Sequence, residues 1–268
     1  MSSPASSGAA DGSASGAPPT AKQLKFSIVV PTYNEADGIE RLIATVRDVF
    51  EQNGLDGEIV VVDDNSPDGT GALADQLAAS DSQVEVMHRS AKEGLGAAYL
   101  AAYKKALESP RGWQRIVQMD ADFSHDPQDV PRLLRALDEG ADVAIGSRYT
   151  AGGGTENWGI GRKIISRGGG MYARLVLGVG IHDLTAGFKA WRADTLRALD
   201  LEAVSAQGYG FQIEMTYRAI CGGFRVVELP IKFVDRRVGQ SKMSGNIVLE
   251  AVTLVWALRA RIPRRKTA

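Results

Sequence analysis

The sequence predicts an α/β protein whose mainly parallel central sheet is covered by helices on both faces. Two observations carry this. Five short apolar runs between Phe26 and Ser147 alternate with stretches of helical period. The runs are apolar throughout, as strands buried on both faces are. In order they are FSIVV (26–30) with a helix over 37–51, EIVVVDD (58–64) with a helix over 69–79, and QVEVM (83–87) with a helix over 94–108. RIVQMD (115–120) with a helix over 128–138 and ADVAIGS (141–147) complete the series. Beyond Arg148 the pattern changes. A Gly-rich loop (150–159), a helix over 161–178, a loop carrying HDLTAGFKAW (182–191) and a helix near 209–221 are expected. A hairpin at RVVELPIKFVD (225–235) and an amphipathic C-terminal helix with a basic end follow.

The chain has 268 residues, 44% of them hydrophobic and 24% charged, and a net charge of -1. Nothing global points to nucleic acid. Its one cysteine, Cys221, excludes an internal disulfide and a Cys-based metal site, and reads as a small buried hydrophobe. No run reaches the roughly 20 apolar residues of a membrane span. Residues 1–22 are rich in Ser, Ala, Gly and Pro, without a basic start or an apolar segment, and are expected to form a disordered tail rather than a secretory signal. The main domain is expected over 23–243 and the helix and tail over 244–268. The protein is expected in the cytoplasm, peripheral at the cytoplasmic face of a membrane.

In such sheets ligands bind at the carboxyl ends of the strands. Four polar clusters fall there: Pro31-Thr32-Tyr33-Asn34-Glu35, Asp63-Asp64, Asp120-Ala121-Asp122 and Gly146-Ser147-Arg148-Tyr149. Asp120 and Asp122, two apart in extended chain, point to one face. Two adjacent carboxylates call for a cation, and Mg²⁺ or Mn²⁺ held with phosphate and water oxygens suits them. Ser124 is a third contributor. A pair of loop carboxylates capping the helix after Pro127 is the plainer alternative. Asp63 and Asp64 suit the hydroxyls or base of a nucleoside, and Asn65-Ser66-Pro67-Asp68-Gly69 reads as a turn opening the next helix. His125 is expected to serve a helix start. No P-loop and no strand-linked G-x-G-x-x-G is present, so metal and cations must hold phosphate. Arg148, Arg162, Lys163, Arg167, Arg236, Arg237 and Lys242 are the candidates.

VVPTYNE, VDDNSPDGT, MDADFSHDP, GSRY, RKIISRG, DLTAGFKAW, GYGFQIEM and FVDRRVGQSK, in this order, resemble family 2 glycosyltransferases of the GT-A fold. Over residues 24–250 the chain looks like polyprenyl (dolichyl) phosphate mannose synthases, FVDRRVGQSK favouring these over glucosyl or aminoarabinosyl transferases. The resemblance implies a single Rossmann-like GT-A domain. It places Pro31, Thr32, Tyr33, Glu35, Val62, Asp63 and Asp64 at the nucleotide. Asp120, Ala121 and Asp122 would hold metal and diphosphate, with Ser124 where some relatives carry glutamine. Arg148 and Arg162 would meet donor or acceptor phosphates, and Arg236 and Lys242 would close over the donor. Asp122, Arg148 and Arg162 are thus the expected catalytic residues. The implied reaction moves mannose from GDP-mannose to a polyprenyl phosphate with inversion. The acceptor phosphate, with a second pKa near ~6, needs no general base. Many relatives carry C-terminal transmembrane helices, for which no apolar run exists here. The apolar stretch 246–258, followed by Arg259, Arg261, Arg264, Arg265 and Lys266, reads equally as a membrane-surface helix or a core-packing one, and an integral membrane partner is a further route. The alternatives are a UDP-glucose-dependent polyprenyl-phosphate glucosyltransferase, a non-catalytic nucleotide-binding subunit and a nucleotidyltransferase.

Overall fold

A computed structural model of the chain describes residues 25–206, 208–235 and 245–263. The expected tail at 1–22, the cations Arg236, Arg237 and Lys242, and the basic residues 264–266 lie outside the described residues.

All five expected strands form, as β1 (Phe26–Thr32), β2 (Gly57–Asp63), β3 (Val84–His88), β4 (Arg115–Gln118) and β5 (Val143–Ser147). The helices between them are α1 (Ile39–Asn53), α2 (Thr70–Ser80), α3 (Leu95–Glu108) and α4 (Val130–Asp138), the last entered through a 3₁₀ turn at Pro127–Asp129. Then come β6 (Gly154–Glu156), α5 (Ile160–Leu177), β7 (Lys189–Arg192), α6 (Ala193–Ala198), α7 (Gly208–Cys221), β8 (Val226–Pro230), β9 (Lys232–Val234) and α8 (Gly245–Arg261). The main sheet runs β3-β2-β1-β4-β7-β5-β8, parallel except for β7, which is antiparallel to both neighbours.

The strand faces divide the core. Ile28, Val30, Val61 and Val117 pack with Leu42, Val46, Leu133 and Leu134 of α1 and α4. Val29, Val62, Ile116 and Trp191 pack on the other side with Tyr99, Tyr103, Phe211 and Met215 of α3 and α7. Outside α7 lies a third layer, where Ala173 and Leu177 of α5 meet Tyr217, Cys221, Val255 and Leu258. Cys221 is the buried hydrophobe expected.

Two expectations fail. HDLTAGFKAW is not all loop, because Lys189–Arg192 inserts as β7 between β4 and β5. Its Lys189 is fully buried and donates to the main-chain oxygen and Oε1 of Gln212 at 3.1 and 2.9 Å. Burial pushes its pKa down to about 7. The second failure is the hairpin at 225–235. Only Ile231 separates β8 from β9, and a reversal needs at least two residues. The chain therefore runs straight on, pairing β8 parallel to β5 and β9 parallel to β6. The hinge residue is fixed on both sides: Ile231 N donates to Ser147 O at 3.1 Å, and Gly154 N donates to Ile231 O at 3.0 Å. Part of the Gly-rich loop is thereby drawn into a two-stranded sheet.

Candidate active site

The ends of β1 and β2 meet in a shared turn. Thr70 Oγ1 accepts from Glu35 N at 2.9 Å, Ser66 Oγ from Asn34 N at 3.1 Å and Asp68 Oδ2 from Ala36 N at 3.0 Å. These bonds hold the Pro31–Glu35 loop against the start of α2, where Asp68 also accepts from Thr70 N and Oγ1. Helix opening by this turn is as expected from its Asn-Ser-Pro-Asp-Gly sequence. Asp63 turns out to build the turn. Its oxygens accept from Ser66 N at 3.1 Å, Ser66 Oγ at 2.5 Å and Thr32 Oγ1 at 3.4 Å. Val62 corrects the sequence reading as well. Its side chain is in the interior with Tyr99, so only its carbonyl, which accepts from Thr32 Oγ1 at 3.3 Å, reaches this edge. Asp64 remains as the carboxylate of the edge, ion-paired with Arg89, which also pairs with Glu93. Lys92 Nζ sits 3.5 Å from the Tyr33 ring centre. The cleft edge at Pro31, Tyr33 and Asp64 thus combines an aromatic face, an ion pair and a strand end.

The acidic pair lies just past β4. Met119 N still bonds Val29 O at 3.1 Å, but Phe123 has φ 59°, so the chain turns away directly after Asp122. Asp122 Oδ1 accepts from Ser124 N at 3.0 Å, an Asx turn that fixes the carboxylate. Asp120 Oδ1 accepts from Tyr99 OH at 3.0 Å. Burial, reinforced by the Asp120 charge, holds the Tyr99 phenol well above its ordinary pKa, so it stays a donor. Ala121 between them is buried.

His125 is not the helix start. Asp126 takes that role, its Oδ1 accepting from Gln128 N. His125 is 2% exposed and its Nδ1 accepts from Asp120 N at 3.1 Å. The proton must then be on Nε2, which stands 4.0 Å from Asp120 Oδ2. Burial lowers its pKa, which keeps it neutral near pH 7. Its ring stacks on Phe188 at 5.0 Å and meets the Phe233 edge at 5.6 Å. The acidic pair is so coupled to β9, and through Phe233 to Trp158 at 5.6 Å.

Gly187 completes the pocket. A Cβ there would stand 3.2 Å from Asp120 Oδ2 and 3.2 Å from His125 Cε1. The absence of a side chain leaves room for the carboxylate. Ser124 Oγ is buried without a hydrogen-bond partner among the described residues. Those residues hold no group of three or more His, Cys, Asp and Glu side chains suited to a metal. The pair fits a hard divalent cation that takes its remaining oxygens from ligand phosphates, water and a hydroxyl.

The two arginines differ. Arg148, 6% exposed, forks onto Asp183: Nε to Oδ2 at 2.8 Å and Nη2 to Oδ1 at 2.7 Å, with its own N on Oδ2 at 2.9 Å. Trp158 and Phe233 face its guanidinium. The sequence assigned this group to phosphate, whereas here it braces the β5 end to Asp183. The Arg148 charge holds the buried Asp183 carboxyl below its ordinary pKa, against the desolvation that raises it. Arg162, on the first turn of α5, donates to Asp235 Oδ2 at 2.6 Å and lies 4.1 Å from the Trp158 ring centre. It is only partly buried. Sequence reasoning missed Asp183, His125 and Gly187 as site builders, although DLTAGFKAW and MDADFSHDP contain all three.

The profile described as "Glycosyl transferase family 2" matches residues 27–199. The chain is 49% identical over 251 residues to the polyprenol monophosphomannose synthase of Mycolicibacterium smegmatis, covering 92% of this chain and 91% of that one. It is 50% identical over 240 residues to the undecaprenyl-phosphate mannosyltransferase of Micrococcus luteus, covering 89% and 96%. Glucosyl-3-phosphoglycerate synthase from Mycobacterium tuberculosis, solved with Mn²⁺, UDP and phosphoglyceric acid, shares the fold at TM-score 0.65 and 21% identity, over 89% of this chain and 79% of that one.

Proposed function

The chain belongs to glycosyl transferase family 2, and on that premise we propose that it transfers mannose from GDP-mannose to a polyprenyl phosphate, with inversion at the anomeric carbon. The likeness over nine-tenths of the chain to a polyprenol monophosphomannose synthase carries the reading. Pro31, Tyr33, Glu35 and Asp64 then line the nucleoside, and Thr32 and Asp63 hold that edge in shape. Asp120 and Asp122 hold Mg²⁺ or Mn²⁺ with the donor diphosphate, and Ser124 Oγ supplies a further oxygen. A fold relative was solved with Mn²⁺ and UDP, which supports a metal of this kind. When bound, the ion supplies positive charge to the departing diphosphate. Arg162 serves a phosphate from the open side, Arg236 and Lys242 close over the donor, and Arg148 keeps the pocket wall in place. The acceptor phosphate attacks as a dianion. A neutral His125 with Nδ1 already engaged is in keeping with a reaction that needs no general base.

The lipid half of the reading rests on α5. Ile160, Ile164, Met171 and Leu175 recur along one face of this helix, and each is more than 60% exposed. Lys163 and Arg167 flank them. Soluble surfaces rarely leave such a stripe open. Of the described part of α8, Val255 and Leu258 are 1% exposed and pack inward. The surface for an anionic membrane is therefore α5 rather than the C-terminal stretch, which sequence alone left open between a membrane-surface helix and a core-packing one. No helix among the described residues is long and apolar enough to cross a bilayer.

The test is transfer of radiolabel to undecaprenyl phosphate from GDP-mannose and, separately, UDP-glucose. Mannosyl lipid from the first alone is expected; glucosyl lipid from the second would overturn the donor assignment. Gly187→Ala should lower kcat by about tenfold or more, since a few tenths of an ångström are forced on Asp120, with little change in melting temperature. Ile164→Glu with Leu175→Glu should abolish flotation with anionic liposomes while binding of GDP-mannose with Mn²⁺, measured in solution, is unchanged.

A further inference from the structure

A polar cavity lies where β4 begins and β7 ends, at the opposite end of these strands from Asp120. Its volume is about 420 Å³, and Trp113, Arg115, Arg192 and Arg197 form its walls with Gln114 and Asp194. Arg115 begins β4 and Arg192 ends the antiparallel β7, so the two guanidinium-bearing strands meet here, away from Asp120. Arg192 donates Nε to Ala141 O at 2.9 Å and bonds Leu137 O, which ties it to the end of α4. Arg115 pairs with Asp138, and Arg197 pairs with Asp194 at 2.8 Å. Three guanidiniums thus face two carboxylates, of which Asp194 is almost wholly in solvent. Donors remain unspent on each arginine, because a guanidinium has five N–H groups.

The indole Nε1 of Trp113, a residue 6% exposed, and Nε of Arg115 have no hydrogen-bond partner among the described residues, but both atoms are shut off from solvent and lie behind the cavity surface. The open guanidinium N–H groups are what a ligand in the cavity would meet. Arginine forks on a planar aromatic wall suit a tetrahedral oxyanion better than a lone carboxylate, since they reach several oxygens at once.

We propose that this cavity binds a phosphate group, as inorganic phosphate or a small phosphomonoester, through Arg115, Arg192 and Arg197. The site is separate from the nucleotide edge and independent of the transfer reaction proposed above. The full-length protein, ¹⁵N-labelled, is titrated at constant ionic strength with inorganic phosphate and, in a second arm, with glycerol 3-phosphate. The readout is the Trp113 indole resonance, assigned with Trp113→Phe. A saturable shift is expected, weakened at least tenfold in Arg197→Glu, whose half-exposed side chain leaves the fold intact. Tighter binding in the second arm would identify an ester as the ligand, and equal binding inorganic phosphate. A Trp113 resonance unmoved by either probe, or one whose midpoint is the same in Arg197→Glu, would overturn the proposal.

Discussion

Asp122→Ala is expected to lower mannosyl transfer by roughly a thousand-fold or more, because it removes a carboxylate of the proposed metal pair and the negative end of its Asx turn. The fold should survive. Asp122 is only partly buried, and water entering the space of its carboxylate can take the bond from Ser124 N. The variant should keep its melting temperature within a few degrees, and Mn²⁺ with GDP, expected to stabilise the parent, should not stabilise it. EDTA should suppress the parent to the same residual level, and Mn²⁺ should restore it. A variant with parental turnover, or a parent indifferent to EDTA, would remove the metal from the account. Asp120→Asn is the subtler change, since Tyr99 OH and the Asp120 main-chain bond to His125 can both remain.

The largest effect on stability is expected at Asp183. This side chain is 1% exposed and receives three donors from Arg148. Asp183→Ala leaves a guanidinium buried among Trp158, Phe233 and Tyr149 without its counter-charge. Removing one partner of a buried pair costs about 3–5 kcal/mol, which corresponds to a fall in melting temperature of roughly 10 °C in a chain of this length. Calorimetry of the two proteins decides it. A shift of one or two degrees would mean that water reaches Arg148. The pH dependence has a definite sign. The folded pKa of Asp183 lies below its unfolded value, so the pair stabilises at and above the unfolded pKa. That contribution is lost as pH falls through the folded value. Between pH 5 and 8 Asp183 should add no slope to the stability curve.

The contrast between Asp122 and Asp183 shows what a sequence conveys. Asp120 and Asp122 were legible because a strand end is local: an apolar run followed by two acids two residues apart needs no knowledge of the rest of the chain. β1 to β5 and the helices between them were legible for the same reason, as periodicity is a local property. Asp183 instead acquires its meaning from Arg148, 35 residues away. Gly187 acquires its own from Asp120 across the sheet. β7 was hidden because Lys-Ala-Trp-Arg carries a buried lysine, which patterning places at the surface. The failed hairpin has the same origin. Two apolar runs around Pro230 look like partners, but each finds a longer-range one. Arg148 was singled out as a cation at a strand end, and His125 only as a helix start. Their tasks, a brace and a tautomer-fixed link, depend on contacts that spacing does not encode.

α5 carries its apolar stripe on an unusual scaffold. Gly168, Gly169 and Gly170 are consecutive in the middle of the helix, and a Cβ at the first two would meet nothing within 4 Å. No steric demand calls for glycine there. Each interior glycine weakens a helix by about 1 kcal/mol relative to alanine, so the helix holds its shape largely through the packing of Ala173 and Leu177, while Ile164 and Leu175 stand exposed. Order in α5 and occupation of its outer face are therefore thermodynamically linked. A bilayer that seats the stripe would lower the free energy of the whole helix, including the turn that carries Arg162. The enzyme would then be most complete where its lipid acceptor is found, and loosest where there is none.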